Sequence, residues 1–241
     1  MSTLSPSAKL DELMGREQRK TPSWIGDAIY GVNDGLGAIF GIIAGVAGYT
    51  GNNHTILVSG FFGALASTLS MAAGAWLATR SENELLDKAF HEAKRDIEQN
   101  REREVQILSL IYETRGFEPH EAKEIAERIS KDDDLFLKTM AQEKHGIHEA
   151  SRGNPWGAAL SGGLSTFIGG VVPLLPFFFM QGLAAIVTAA AISLAAHFVV
   201  GALKSLVTVR SWWSSGIEMT FAGVIVGVVS YLLGLAGSHV L

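Results

Sequence analysis

Five long apolar stretches alternate with polar segments along the chain. A helix of about 20 predominantly apolar residues spans the hydrocarbon core of a bilayer. The apolar stretches cover residues 26–49, 55–79, 156–179, 182–203 and 217–237. This pattern predicts an all-α, polytopic membrane protein with five transmembrane helices, here called spans one to five.

The segment between spans two and three has the opposite character, because residues 80–154 contain 13 Lys or Arg and 18 Asp or Glu. Helix start and stop signals predict three helices in it: the first continues span two to about Thr114 and stops at Gly116, the second runs from Pro119 to near Ser130, and the third is capped by Asp132 and runs to about Ala150. The predicted organisation is an N-terminal segment (1–25), spans one and two (26–79), an inserted helical domain (80–154) and spans three to five (155–241).

The positive charges predict the orientation. All 19 Lys and Arg residues lie before span one, in residues 80–154, or between spans four and five. Because loops rich in Lys and Arg remain in the cytoplasm, the N-terminal segment and the inserted domain are expected to be cytoplasmic. A bacterial inner membrane and an organelle membrane both fit this arrangement.

Composition excludes several other classes of protein. The chain has no Cys, so disulfides and thiolate metal sites are excluded. The formal net charge of −5 gives no support for nucleic-acid binding. No nucleophile motif, phosphate loop or dinucleotide fingerprint is present, so we do not expect an enzyme.

Span one contains the strongest candidate for membrane chemistry, since Asn33 and Asp34 interrupt its apolar sequence. An ionisable residue within a span is a functional hypothesis by default. Glycines at a spacing of four around it let a second helix approach closely. The alternative is that Asp34 lies at the cytoplasmic interface, where it is hydrated and structural. In span two, Met71 offers a soft thioether ligand, although an isolated membrane Met is usually an apolar packing residue.

The inserted domain carries many carboxylates. At helical spacing, one face has Glu84, Asp87, His91, Glu98 and Glu102, and Glu92 and Asp96 form a neighbouring pair. Such a face suits divalent cations, but the composition favours a solvated helix with ordinary ion pairs to the interleaved Lys and Arg. The section Glu98–Glu104 has no apolar residue, so it is either exposed or lines a polar site. His145 and His148 form a weaker metal-binding candidate on the third helix.

The chain resembles the vacuolar iron transporter family from about Asp27 to Gly237. The resemblance is carried by Gly-Val-Asn-Asp-Gly-Leu-Gly at 31–37, Ser-Met-Ala-Ala-Gly at 70–74, Leu-Ile-Tyr at 110–112 with Arg-Gly at 115–116, Asn-Pro-Trp at 154–156, and Pro-Leu-Leu-Pro at 173–176. The order and spacing of these motifs make the resemblance specific.

The resemblance implies a five-span homodimer in the lipid bilayer that moves Fe²⁺, and in some members Mn²⁺, out of the cytosol by proton antiport. It implies a pathway at the dimer interface lined by Asp34 and Met71. The inserted domain would be a cytoplasmic metal-binding domain with ligands among Glu92, Asp96, Glu102, Glu104, Met140 and Glu143. No other cofactor is expected.

Two features depart from the family pattern. Ala75 stands where many members have Glu, so one membrane ligand or proton carrier is missing. The glutamate-rich approach to Leu-Ile-Tyr is diluted at residues 101–107, and Lys144 stands where a carboxylate is expected. These departures leave open an alternative function, that of a non-transporting, membrane-anchored scaffold that senses metal or binds a partner.

Overall fold

The computed structural model describes residues 24–147 and 152–240. These described residues form nine α-helices and no strand: α1 (Trp24–Tyr49), α2 (Asn53–Gln99), α3 (Arg101–Thr114), α4 (Pro119–Ile129), α5 (Asp133–His145), α6 (Pro155–Val171), α7 (Leu175–Phe179), α8 (Gly182–Lys204) and α9 (Trp212–Val240). A 3₁₀ turn at Val172–Leu174 separates α6 from α7. The predicted all-α class is confirmed.

Five helical segments are long and apolar enough to cross a membrane, as predicted: Ala28–Tyr49, Asn53–Gln99, Pro155–Phe179, Gly182–Lys204 and Trp212–Val240. The last begins five residues before the predicted start of span five. The chain divides into two compact units. We call Met1–Ala75 with Trp156–Leu241 the membrane unit, and Trp76–Pro155 the charged unit.

Helix α1 is central to the packing of the membrane unit. It packs against α8 and α9 and contributes Ile39 and Ile43 to a core shared with Ile56 of α2 and Phe177 of α7. The face of α1 that carries Ile39 and Ile43 is therefore covered by other helices of the chain. The helix that carries Asp34 is thus held from several directions.

Glycines allow the backbones in the membrane unit to touch, as their spacing predicted. A Cβ atom added at Gly35 of α1 would lie 1.9 Å from the carbonyl oxygen of Thr166 on α6. A Cβ atom added at Gly234 of α9 would lie 1.8 Å from the carbonyl oxygen of Gly45 on α1. No other residue fits at such distances, so these two contacts define how closely α6 and α9 approach α1.

Span three is interrupted at its prolines. Pro173 lies in the 3₁₀ turn and Pro176 lies in the first turn of α7. Proline lacks the backbone N–H that a continuous α-helix needs. The two prolines therefore interrupt the α-helix of span three, and the interruption takes the form of one tight turn rather than an open loop.

The charged unit contains the end of α2 together with α3, α4 and α5. Its core consists of the fully buried Leu108, Ala126, Phe136 and Met140 with the nearly buried Ala93. Apolar residues from four helices thus form one core. The packing of this core fixes the positions of the helices that carry the surrounding polar side chains.

Two predicted helix boundaries in the charged unit are wrong. The first helix does not continue to Thr114, because α2 ends at Gln99 and Asn100 is non-helical, with φ −157° and ψ 84°. The Asn100 side chain accepts a hydrogen bond from the Arg103 backbone N–H at 3.0 Å, so it caps α3. The third helix ends at His145, because Gly146 adopts a left-handed conformation with φ 68°. Residues 148–151 lie outside the described residues.

The capping role of Asn100 leads to a prediction. Replacing Asn100 with Ala removes the side-chain acceptor, so α3 should lose about 1 kcal/mol of stability. Amide hydrogen exchange in the first turn of α3 should become faster in Asn100→Ala. Asn100→Asp, which retains an acceptor, should exchange like the wild type, and equal exchange in Asn100→Ala would contradict the capping role.

Candidate functional site

Asp34 lies on the wall of an open groove of about 740 Å³ in the membrane unit. The groove is lined by residues of α1 and α9: Asp34, Gly37, Ala38, Gly41, Ile42, Gly45, Val226, Ser230, Leu233 and Gly234. Asp34 is the single ionisable side chain in this lining, and the Ser230 hydroxyl is the other polar side chain. The small residues leave space at the carboxylate that a larger side chain would fill.

The position of Asp34 bears on whether it is merely interfacial. Asp34 follows Ala28, the first residue of the apolar segment, by six residues, which corresponds to about 9 Å along a helix axis. Its side chain is half-buried, and no described residue forms a hydrogen bond or ion pair with it. The carboxylate therefore lies inside the apolar segment, without a partner among the described residues.

Met71 packs against α6, whereas the Asp34 groove is lined by α1 and α9. A Cβ atom added at Gly162 of α6 would lie 3.4 Å from Met71 Cγ and 3.9 Å from Met71 Sδ. Ala75 packs against the same glycine at 3.5 Å. Met71 does not line the Asp34 groove. Within one chain, the two residues that the resemblance assigns to the pathway are thus not brought together in this groove.

The sequence analysis missed His197, a buried histidine on α8. Its ring is 3% exposed, lies 6.3 Å from the Phe40 ring and packs against the Cα position of Gly223. The Nδ1 atom lies 2.8 Å from the Ser193 carbonyl oxygen, which can only accept, so Nδ1 carries the proton. The signal was present in the sequence, because His197 is the single ionisable residue of the charge-free stretch 153–203.

The second nitrogen of His197 points toward α1. A Cβ atom added at Gly37 would lie 3.9 Å from His197 Nε2. Gly37 is one of the residues that line the Asp34 groove, one turn from Asp34 itself. With Nδ1 protonated, Nε2 of the neutral ring is a hydrogen-bond acceptor. The α1 segment around Asp34 is therefore flanked by a second titratable group.

In the charged unit, two of the predicted metal ligands meet at a lysine. Lys144 Nζ on α5 lies 2.7 Å from Asp96 Oδ2 on α2, and 3.1 and 3.3 Å from the two carboxylate oxygens of Glu104 on α3. Glu104 is 3% exposed. Of the polar section Glu98–Glu104, residues 98–103 are exposed and only Glu104 lines this polar site, which already contains an ammonium group.

The charge state of Lys144 follows from its surroundings. Burial alone lowers the pKa of the ammonium group, but hydrogen bonds to Asp96 and Glu104 and the charges of both outweigh it, so the pKa lies above its ordinary value. The stability that Lys144 contributes through its raised pKa is therefore present at neutral pH and is lost as the pH rises through that pKa. Lys144 is a permanent cation at neutral pH.

Glu143 is also occupied by a cation. Its side chain is only 7% exposed, and the Arg115 guanidinium binds both of its oxygens, with Nη1 2.9 Å from Oε1 and Nη2 against Oε2. Such a bidentate pair has fixed geometry and is stronger than an ordinary ion pair. Arg115 is part of the Arg-Gly motif at residues 115–116, so this motif residue neutralises a predicted ligand.

The remaining predicted ligands are dispersed. Met140 is fully buried in the apolar core of the charged unit. Glu92 is 4.0 Å from Lys88, and Glu102 is exposed on a groove between α3 and α4. Across residues 24–147 and 152–240, no three His, Asp or Glu side chains converge as a metal site requires.

Glu84, Glu98 and Asp87 form ordinary ion pairs at the surface of the charged unit. Arg80 pairs with Glu84 at 2.9 Å, and Lys94 pairs with Glu98 at 3.9 Å. Arg152 binds Asp87. The Nε2 atom of His145 is buried without a hydrogen-bond partner among the described residues, and His148 lies outside them. The solvated-helix alternative therefore describes this face of α2 better than a metal-binding face does.

Five apolar helices define a polytopic integral membrane protein, with a carboxylate-bearing groove in its membrane unit. The chain belongs to the VIT family, whose model matches residues 25–235. The resemblance carried by the motifs is thus confirmed. The expectation that the chain is not an enzyme is compatible with the names of its relatives, which are transporters.

Several named proteins are similar over most of the chain. Vacuolar iron transporter 1 of Arabidopsis thaliana is 27% identical over 214 residues, which are 88% of this chain and 86% of the plant protein. Vacuolar iron transporter 1 of Oryza sativa subsp. japonica is 27% identical over 206 residues, covering 85% and 82%. Vacuolar iron transporter cccA of Arthroderma benhamiae is 27% identical over 222 residues, covering 90% and 76%.

Proposed function

We propose that this protein transports Fe²⁺, with Mn²⁺ as a second substrate, out of the cytosol and across an organelle membrane by proton antiport. The observation that carries the proposal is Asp34, a half-buried carboxylate without a described partner in a groove between α1 and α9. The names of the plant and fungal relatives support iron as the metal.

In this mechanism, Asp34 binds either a metal ion or a proton. Carboxylate oxygen is a suitable ligand for Fe²⁺ and Mn²⁺. Because Met71 packs against α6 outside the Asp34 groove of its own chain, its thioether would join the metal only after a rearrangement or from a second copy. When Asp34 releases the metal and takes up a proton, the neutral side chain can return through the apolar segment at lower cost than a charged one. His197, whose Nε2 atom lies 3.9 Å from a Cβ atom added at Gly37, would be a second group that could accept a proton near the α1 segment of Asp34.

We propose that a second copy of the chain covers the Asp34 groove in a homodimer. A carboxylate that faced lipid directly would be costly, so a protein surface on the open side of the groove is physically required during transport. Helix α9 supports this, since its apolar residues Val226 and Leu233 are exposed and line the open groove. In the dimer, residues from both copies would enclose the metal.

The distribution of Lys and Arg supports the direction of transport. It predicts that the N-terminal segment and the charged unit face the cytoplasm. Metal would then enter from the cytoplasm and leave into the organelle, where an acidic lumen would supply the exchanging protons.

Reconstitution into liposomes tests the proposal. Vesicles with an acidic interior and a neutral exterior should take up Fe²⁺, seen as quenching of a trapped fluorescent chelator, and their interior should become more alkaline as they do so. Dissipating the gradient with nigericin should stop uptake, and protein-free vesicles serve as the control. Gradient-independent uptake would exclude antiport, and no uptake of Fe²⁺, Mn²⁺, Co²⁺ or Zn²⁺ would exclude transport.

The alternative function is a membrane-anchored scaffold that binds a partner without transport. Ala75 supports it, because the side chain packs against Gly162 and supplies no ligand. The cations at Asp96, Glu104 and Glu143 support it as well, since they leave little capacity for metal in the charged unit. The liposome assay separates the two functions, because a scaffold produces no flux of any metal.

A further inference from the structure

We propose that Lys144 and Arg115 act as built-in counter-cations of the charged unit, so that its carboxylate cluster assembles without a metal and excludes divalent cations. The cluster comprises Asp96 and Glu104, which share Lys144, while Glu143 is paired separately with Arg115. The family resemblance implies metal at these carboxylates, and the residues of this chain do not fit that role. The inference is independent of the proposed transport through Asp34.

The geometry around Lys144 is that of a filled cation site. An ammonium group has three N–H donors. Lys144 Nζ has three carboxylate oxygens within 3.3 Å, one from Asp96 and two from Glu104. The three residues come from α5, α2 and α3, so a single cation joins three helices, as a structural metal ion would.

The charge balance leads to the same conclusion. Asp96 and Glu104 carry two negative charges, which are balanced by Lys144 and by Arg95, whose Nη2 lies 3.6 Å from Asp96 Oδ1. A divalent cation entering the cluster would have to displace an ammonium group that is tethered at hydrogen-bond distance. The displaced Lys144 would lose both of its carboxylate partners, and the metal would gain at most two carboxylates there, whereas divalent cations in proteins usually have more oxygen ligands.

The other predicted ligands, Glu143 and Met140, are also unavailable to a metal ion. Both oxygens of Glu143 are occupied by the Arg115 guanidinium. The thioether of Met140 is fully buried among apolar side chains, including Leu108 and Phe136, and is not open to an ion. A metal would therefore have to break two ion pairs and the apolar core to obtain the implied ligand set.

The burial of Glu104 explains why the cation is required. A carboxylate that is 3% exposed is strongly destabilising when its partner is removed. Lys144 is thus a structural residue in the wild type. Without the charge of Lys144, Asp96 and Glu104 should need another cation to balance them. Replacing Lys144 with Glu should also supply a third carboxylate ligand for that cation.

The experiment uses the full-length protein in nanodiscs, with Asp34→Asn as the background so that the membrane site does not contribute. Mn²⁺ is the probe, because it is stable in air and its bound fraction is measured by electron paramagnetic resonance. The variants are Lys144→Glu, Lys144→Gln and Lys144→Arg. Lys138→Gln is the matched control, because Lys138 lies on the same helix and pairs with Asp134 on the surface.

We expect Lys144→Glu to bind one Mn²⁺ per chain at least tenfold more tightly than the background protein, Lys144→Arg and Lys138→Gln. We expect Lys144→Gln to melt several degrees below Lys138→Gln in the absence of metal. Saturable Mn²⁺ binding to the background protein as tight as that of Lys144→Glu would overturn the proposal. Folded Lys144→Glu without Mn²⁺ binding, or Lys144→Gln melting like the control, would also overturn it.

Discussion

Asp34→Asn is expected to abolish gradient-driven Fe²⁺ uptake in proteoliposomes while leaving the protein folded. The amide has the size and shape of the carboxylate, so the groove between α1 and α9 should keep its form. The amide has no negative charge and does not take up a proton, so both the metal-bound state and the proton-bound state are lost. We expect the uptake rate to fall by at least about 100-fold, equivalent to about 2.8 kcal/mol of lost interaction.

Glu218→Gln provides the matched control for this prediction. Glu218 is also a carboxylate near the start of a span, but it is exposed and pairs with Arg210 at 2.6 Å. Its neutralisation should leave uptake within about twofold of the wild type, because an exposed ion pair contributes little. Uptake by Asp34→Asn at the rate of Glu218→Gln would remove Asp34 from the mechanism and would leave the groove without a role.

Gly35→Ala is expected to disrupt the membrane unit. The added Cβ atom would lie 1.9 Å from the carbonyl oxygen and 2.7 Å from the carbonyl carbon of Thr166, which are backbone atoms that cannot rotate away. Helices α1 and α6 would have to separate, and the close contact between Gly169 and Val32 in the same interface would be lost with it. We expect a loss of about 3 kcal/mol or more, at the upper end of the cost of overpacking.

The measurement is thermal unfolding in detergent, followed by the monodispersity of the purified protein. Gly74→Ala is the control, because a Cβ atom at Gly74 would have no neighbouring heavy atom within 4 Å. Ala is the better helix former, so this control should be neutral or gain up to about 1 kcal/mol. Equal melting temperatures for Gly35→Ala and Gly74→Ala would show that the α1–α6 contact is looser than the structure indicates.

The elements that could be predicted from sequence are those governed by local rules. The five spans follow from the length of apolar sequence, and the interruption of span three follows from Pro173 and Pro176. The start of α4 at Pro119 and the capping of α5 by Asp132 were also predicted, since both depend on residues within one turn. Asn100 could have been recognised as a cap, but continuous helical periodicity on both sides obscured it.

The candidate site could be predicted only in part. Asp34 was identifiable because a charge in an apolar stretch is rare, and His197 was missed because it is neutral in a charge count. The groove at Asp34 opens between α1 and α9, whereas Met71 packs on α6. Both facts depend on how each span is rotated about its own axis. Hydropathy along the chain contains no information on that rotation when a helix is apolar on all sides.

The sequence by itself determined that this is a membrane protein of the VIT family, with five spans, a charged insertion and an acidic residue in span one, because each of these follows from local composition or from a motif. Only the tertiary structure decided which charges neutralise one another. Asp96, Glu104 and Lys144 are up to 48 positions apart, and their contact at 2.7 to 3.3 Å depends on three helices packing around one apolar core. A list of carboxylates therefore suggested a metal site, whereas their three-dimensional arrangement places a lysine ammonium among them.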